Sequence, residues 1–247
     1  MSYYQHEDIN NAIVGLFAEV KNNENKTGTV LDVGCGRGRL GLEIETLGFR
    51  VTGIDDSPVA CETARTRLSE VIELNLMDFA KVAQMLGERR FDWLMMADVL
   101  EHLPYPEKAL EFYKQYLAPG GRLMLSLPNA VVWDNRLRIM LGRFDYRDSG
   151  TMDRTHLRFF TFRSARELVE NAGFTPLRRT LEPGIVRAFL PLVKKLVAGK
   201  DSPSGILESP SYQFYKNYIL PVEQALASIL PGLFAFRTVM TAKLTRP

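Results

Sequence analysis

The chain has 247 residues, 46% of them hydrophobic and 24% charged, and interspersed acids and bases leave a net charge of +2. Such a length and apolar content suffice for one sizeable core, and the near balance of charge gives no basic arm or patch of the kind that grips nucleic acid. With only Cys35 and Cys61 there is no disulfide framework, and the two read as reduced thiols.

No metal-ligand spacing stands out, so no metal is expected. The first residues lack a basic-then-apolar leader, and no apolar run reaches about 18 residues. These features point to a cytoplasmic protein with a small-molecule partner.

In chain order, Ile9, Ile13, Leu16, Phe17 and Val20 recur at helical spacing and predict an amphipathic helix over 7–21. A short β-prone run from Val30 to Val33 then breaks into three alternate glycines, Gly34, Gly36 and Gly38, before a helix from Arg39 to Glu45. Glycine is needed where backbone takes positive φ or approaches a ligand closely, and a following helix start presents unpaired N–H groups. This turn is therefore expected to cradle a small polar ligand. A dinucleotide fingerprint would need glycine where Arg39 stands, and an acid, Asp32, precedes the first glycine, so NAD is disfavoured.

A second strand over 49–54 ends in Asp55, and Ser57 and Pro58 supply an N-cap and a first-turn proline for a helix over 58–69. An acid at the carboxyl end of that strand stands where it can accept both ribose hydroxyls of a nucleoside. The third strand is predicted over 71–76, with Asn75 and Leu76 at its end and Asp78 just beyond. The fourth, Phe91 to Ala97, is nearly all apolar, as in a strand buried on both faces, and it runs into Asp98-Val99-Leu100-Glu101-His102-Leu103-Pro104.

A helix over 106–117, a turn at Ala118-Pro119-Gly120-Gly121 and a fifth strand over 122–127 follow. Residues 130–160 form a long polar, aromatic and basic connection, the kind of segment in which acceptor specificity resides. Beyond it come a helix over 164–172, a sixth strand over 175–181, a proline-punctuated helical stretch over 185–232 and a last strand over 234–244. Strands alternating with helices imply right-handed crossovers and a mostly parallel, doubly wound sheet.

Asp32-Val33-Gly34-Cys35-Gly36-Arg37-Gly38 resembles motif I of the class I S-adenosylmethionine (SAM) methyltransferases. Asp98 to Leu103 resembles the D-V-L-E-H-L stretch of a large subgroup that includes ubiquinone-type O-methyltransferases, and Leu117 to Leu123 is similar to the family's entry into its fifth strand. Residues 142–146 with 153–161 resemble a subgroup associated with bacterial cell-surface glycan synthesis.

The resemblance implies a Rossmann-like, seven-stranded sheet of order 3-2-1-4-5-7-6 with helices on both faces and an antiparallel last strand. It implies one domain over 1–247, made of an N-terminal helix (1–27), a cofactor core (28–128), an acceptor segment (129–163) and a helical insertion (183–232). SAM would lie against Asp32, Gly34, Cys35, Gly36 and Gly38, with Asp55 on the ribose. Asp56, Asn75, Leu76 and Asp78 would line the adenine, and Ala97 and Asp98 the sheet edge. Asp56 stands where the family has an apolar residue, and either Asn75 or Asp78 can accept the adenine amino hydrogen.

The sulfonium already makes the methyl electrophilic, so the protein's work is to hold an acceptor in line and exclude water. A hydroxyl acceptor also needs a base. His156 and His102 are the histidines near the predicted site, with Asp153 as an orienting partner, and each histidine also has a purely structural reading. Arg143, Arg158 and Tyr146 suit an anionic, sugar-containing acceptor. The alternative is a SAM-binding scaffold or regulator without chemistry. The cationic amphipathic stretch over 185–200 is read as core packing, a dimer contact or a surface for the inner face of an anionic membrane.

Overall fold

A computed structural model describes residues 9–24, 27–184 and 213–245. Its strands are β1 (Thr29–Val33), β2 (Arg50–Asp55), β3 (Glu70–Glu73), β4 (Phe91–Ala97), β5 (Leu117–Pro128), β6 (Phe174–Pro183) and β7 (Ala235–Leu244). They form one sheet in the order β3-β2-β1-β4-β5-β7-β6, which is the order expected. β7 runs antiparallel to β5 and β6, and the other neighbours are parallel. The helices of seven residues or more among the described residues are α1 (Asn11–Glu24), α2 (Arg39–Thr46), α3 (Pro58–Ala64), α4 (Phe79–Leu86), α5 (Pro106–Tyr113), α6 (Trp133–Met140), α7 (Phe162–Asn171) and α8 (Leu220–Ile229).

Alternation along the central strands sends successive side chains to opposite faces, and both faces are buried. On one, Val30, Trp93 and Met95 pack with Ile13 and Phe17 of α1, and the Phe17 ring sits 5.0 Å from those of Phe49 and Trp93. On the other, Leu31, Val33, Leu94 and Met96 join Leu110 and Tyr113 of α5 and Val169 of α7. This double burial fixes the carboxyl ends of β1, β2 and β4 beside one another, and the site lies there.

Element ends differ from expectation for local reasons. α3 stops at Ala64 rather than Ser69, because the Thr66 hydroxyl turns back to the Thr63 carbonyl (2.8 Å) and Leu68 drops into the core. β3 stops at Glu73, where Leu74 N–H still bonds the Asp55 carbonyl, and Asn75 then turns the chain by accepting from Met77 N–H at 2.8 Å. The turn leads into α4, a helix the sequence reading lacked, capped by Asp78.

β5 begins at Leu117, so the Ala118–Gly121 segment is part of a strand that carries a bulge against β4. The predicted helical stretch 185–232 is described only from 213 on, where Tyr215–Ile219 is a π-turn leading into α8. The amphipathic residues 185–200 lie outside the described residues.

Candidate active site

The glycine turn is shaped by what surrounds it. Gly34 has φ +80°, and a Cβ there would fall 2.5 Å from Val99 Cγ2, so glycine alone fits. Gly34 and Cys35 N–H both donate to the Ile54 carbonyl, at 2.8 and 3.1 Å, which pins the turn to the end of β2. Gly38 takes φ +74° as the N-cap of α2, with no side chain capping that end.

Two acids organise the same corner. The Asp55 carboxylate accepts from Gly36 N–H (2.8 Å) and Ser57 N–H (3.0 Å), tying the glycine turn to the start of α3. Asp32 is 2% exposed, and burial, reinforced by the Asp55 charge, pushes its carboxyl up to about 8. Burial and the same neighbour raise Asp56, which is exposed at the rim. Cys35 and Cys61 are free and buried, with the Cys61 thiol pushed up to about 11 by burial and acidic neighbours.

Asn75 and Asp78 share the turn after β3, with buried Leu76 between them. Asp78 spends one oxygen capping α4 through Lys81 N–H (3.3 Å) and the other on Lys81 Nζ (2.9 Å). Asn75 is exposed and uses its Oδ1 on Met77 N–H.

Beyond β4, Ala97 and Asp98 are half-buried, and Asp98 holds φ +51°, a strained value for a side-chain-bearing residue. Ser126 Oγ donates to its Oδ1 (2.9 Å) and Arg237 Nη1 pairs with its Oδ2 (2.8 Å), from β5 and β7 respectively. The following turn buries Glu101 at 1% exposure, with Oε2 lacking a hydrogen-bond partner. Burial and the Asp98 charge hold the Glu101 carboxyl well above the usual range. The Glu101 carbonyl accepts from Leu157 and Arg158 N–H at 2.8 and 3.0 Å, which brings the acceptor segment onto the turn.

In that arrangement the His102 and His156 rings meet edge to face at 4.7 Å. His102 Nδ1 lies 3.2 Å from the Thr155 carbonyl, and burial lowers its pKa to about 4. His156 is 8% exposed, its Nδ1 lacks a partner, and burial lowers its pKa against the opposing Asp153 charge. Burial thus disfavours the charged form of both imidazoles. Asp153 Oδ1 itself accepts from Thr155 N–H (2.8 Å) and Oγ1 (2.5 Å), holding the turn that carries His156.

The Phe159 ring meets His156 edge to face at 6.2 Å and continues into the exposed rings of Phe144 and Tyr146. Arg143 is exposed, and Arg158 is tethered to the Pro104 carbonyl at 2.5 Å.

A methyltransferase-domain family matches residues 4–178, most of the chain. The chain belongs to the class I SAM-dependent methyltransferases. The ubiquinone biosynthesis O-methyltransferase of Nitrosococcus oceani is 36% identical over 104 residues, which are 40% of this chain and 43% of that protein. The chain thus matches less than half the length of that relative. The enzyme of the same name from Dechloromonas aromatica is 30% identical over 70% of this chain and 73% of its own length. A SAM-dependent methyltransferase from Archaeoglobus fulgidus superposes with a TM-score of 0.57 at 18% identity, covering 92% of each chain, a likeness of fold.

Three features of this methyltransferase escaped the sequence reading. Glu101 stood inside a quoted motif without a role, because nothing in a lone sequence shows that it is buried. Ser126 and Arg237 hold Asp98 from strands far along the chain, and the signal was a basic residue inside the mostly apolar β-prone run Ala235 to Val239.

Proposed function

We propose that this methyltransferase transfers the methyl group of SAM to a hydroxyl oxygen of a small acceptor bound beneath residues 143–160. The observation that carries the reading is the contacting His102–His156 pair beside buried Glu101, one turn from Val99, whose side chain packs on Gly34 of the glycine turn. In this reading Asp32 and residues 34–38 hold the methionine part of SAM, and Asp55 takes the ribose. Asn75 or Asp78 takes the adenine amino group, each with an oxygen that already accepts a backbone N–H, from Met77 and Lys81 respectively. Asp56, Leu76, Ala97 and Asp98 line the remainder.

The acceptor oxygen gives its proton to His156, its lone pair forms the new C–O bond to the methyl carbon, and the C–S electron pair stays on sulfur in S-adenosylhomocysteine. Asp153 orients the segment carrying the base. We assign the acceptor to sugar-containing anions, gripped by Arg143 or Arg158 and stacked on Tyr146, since guanidinium groups bind anions bidentately. A second reading, an aromatic hydroxyl acceptor such as a catechol, is raised by the relatives' name, ubiquinone biosynthesis O-methyltransferase, which itself gives no acceptor group. Incubating the protein with methyl-labelled SAM and matched panels of sugar phosphates and catechols tests both. Label in the sugars supports the first reading and label in the catechols the second. Label in neither, with SAM bound, leaves the scaffold alternative.

A further inference from the structure

We propose that the outward side of α8, with the π-turn before it, is a docking surface for a second copy of this chain and forms a two-fold dimer. Phe214, Tyr218, Val222, Leu226, Ile229 and Leu230 lie on it, each between 37 and 73% exposed. The helix is inverted, for its buried side holds Ala227 and the Glu223 carboxylate, which accepts from the Tyr215 hydroxyl at 2.8 Å. A surface helix ordinarily turns its charges to water and its apolar residues to the core. Exposed apolar side chains gathered in this number on one element mark an interface.

None of the exposed side chains described over 213–230 is charged, so Lys194, Lys195 and Lys200 of the preceding stretch find no acid there. Nor does the face offer the Lys or Arg with which an interfacial helix grips an anionic membrane. An identical uncharged face is its complement, because a two-fold axis sets the same patch against itself and any charge there would meet its like. Tyr218, Val222, Ala225 and Ile229 recur at steps of four, three and four, the seam along which paired helices interlock. The six large side chains expose roughly 600 Å², so two copies cover about 1,200 Å², the lower limit for a stable interface. A dimer of micromolar strength is expected.

Pairing reaches the candidate site through the end of α8. The Gly232 carbonyl accepts from Asn129 Nδ2 and Arg136 Nη2, each at 3.2 Å, which ties the turn after α8 to the start of the acceptor segment. A copy docked on α8 braces that segment, while pairing itself requires nothing of the methyl-transfer reading.

Sedimentation equilibrium of the full chain from about 1 to 100 µM tests the pairing. The chain should pass from monomer to dimer over that range, and Val222→Glu, shown to be folded by circular dichroism and SAM affinity, should stay monomeric. A dimer that Val222→Glu leaves intact overturns the interface. If Val222→Glu does not fold, Val222→Cys decides, because Cys35 and Cys61 are buried. A disulfide-linked dimer under mild oxidation supports the pairing, and unlinked chains overturn it. A chain monomeric at 100 µM also overturns it. Flotation of that monomer with phosphatidylglycerol vesicles would assign the face to a membrane, and protection of 214–230 from hydrogen exchange without vesicles would assign it to residues 185–212.

Discussion

Replacing Asp55 with alanine tests how the cofactor corner is built. The carboxylate accepts from Gly36 and Ser57 N–H at 2.8 and 3.0 Å, and a charged acceptor makes each bond about 1.5–3 kcal/mol. Ser57 is half-buried, so water can replace part of that loss, and relief of the repulsion on Asp32 and Asp56 offsets about 1 kcal/mol more. The net expectation is a loss of about 1–3 kcal/mol, or roughly 3–10 °C in Tm for a domain of this size. If Asp55 holds the ribose as proposed, SAM should also bind about 30- to 1000-fold more weakly. Calorimetric melting and SAM titration on one preparation separate the effects. An unchanged Tm would refute the hinge between the glycine turn and α3, and a lowered Tm with unchanged SAM affinity would refute the ribose contact.

Other substitutions probe the rest of the site. Gly34→Ala must accommodate both φ +80° and a contact of 2.5 Å with Val99, so SAM binding should be lost, and preserved affinity by titration would contradict the close approach. Asp32 is held protonated to about pH 8 in the fold but ionises near pH 4 when unfolded. The native state therefore binds the extra proton between those values, and stability falls as pH rises through that window. Asp32→Asn should flatten the slope in denaturant titrations, and an unchanged slope would place the linkage elsewhere. Arg237→Met leaves the Asp98 and Glu182 carboxylates without their guanidinium and should lower stability by about 1–3 kcal/mol while raising the acceptor KM, and unchanged melting would remove Arg237 from the site. His156→Ala should reduce kcat by about 10²–10⁴-fold with SAM affinity kept, and full activity would remove His156 from the reaction.

The mostly parallel, doubly wound sheet was legible because strands alternate with helices, whereas its order came only through the resemblance carried by Asp32 to Gly38 and Asp98 to Leu103. Helix and strand ends were less legible where one side chain redirects the backbone, as Thr66 does after α3 and Asn75 after β3. The turn after β3 concealed α4, since Asp78 reads equally as a ligand group and as a cap. The residues proposed to hold the cofactor stand out in the sequence because glycines and strand-end acids announce their geometry. Glu101 does not, for its meaning comes from burial beside His156, 55 residues downstream, and from the unpartnered oxygen that burial creates. Arg237 was hidden in the same way, since β7 reaches Asp98 only through the inserted antiparallel order.

Hydrogen-exchange mass spectrometry of the full chain with and without SAM tests the central claim most directly. Binding as described should slow exchange at the end of β1 and the glycine turn, at 55–57 and at 75–78, while the exposed helix α6 and the distant ends of β6 and β7 exchange unchanged. Slowing confined to other segments, or none at saturating SAM, would contradict the cofactor site on which the account rests.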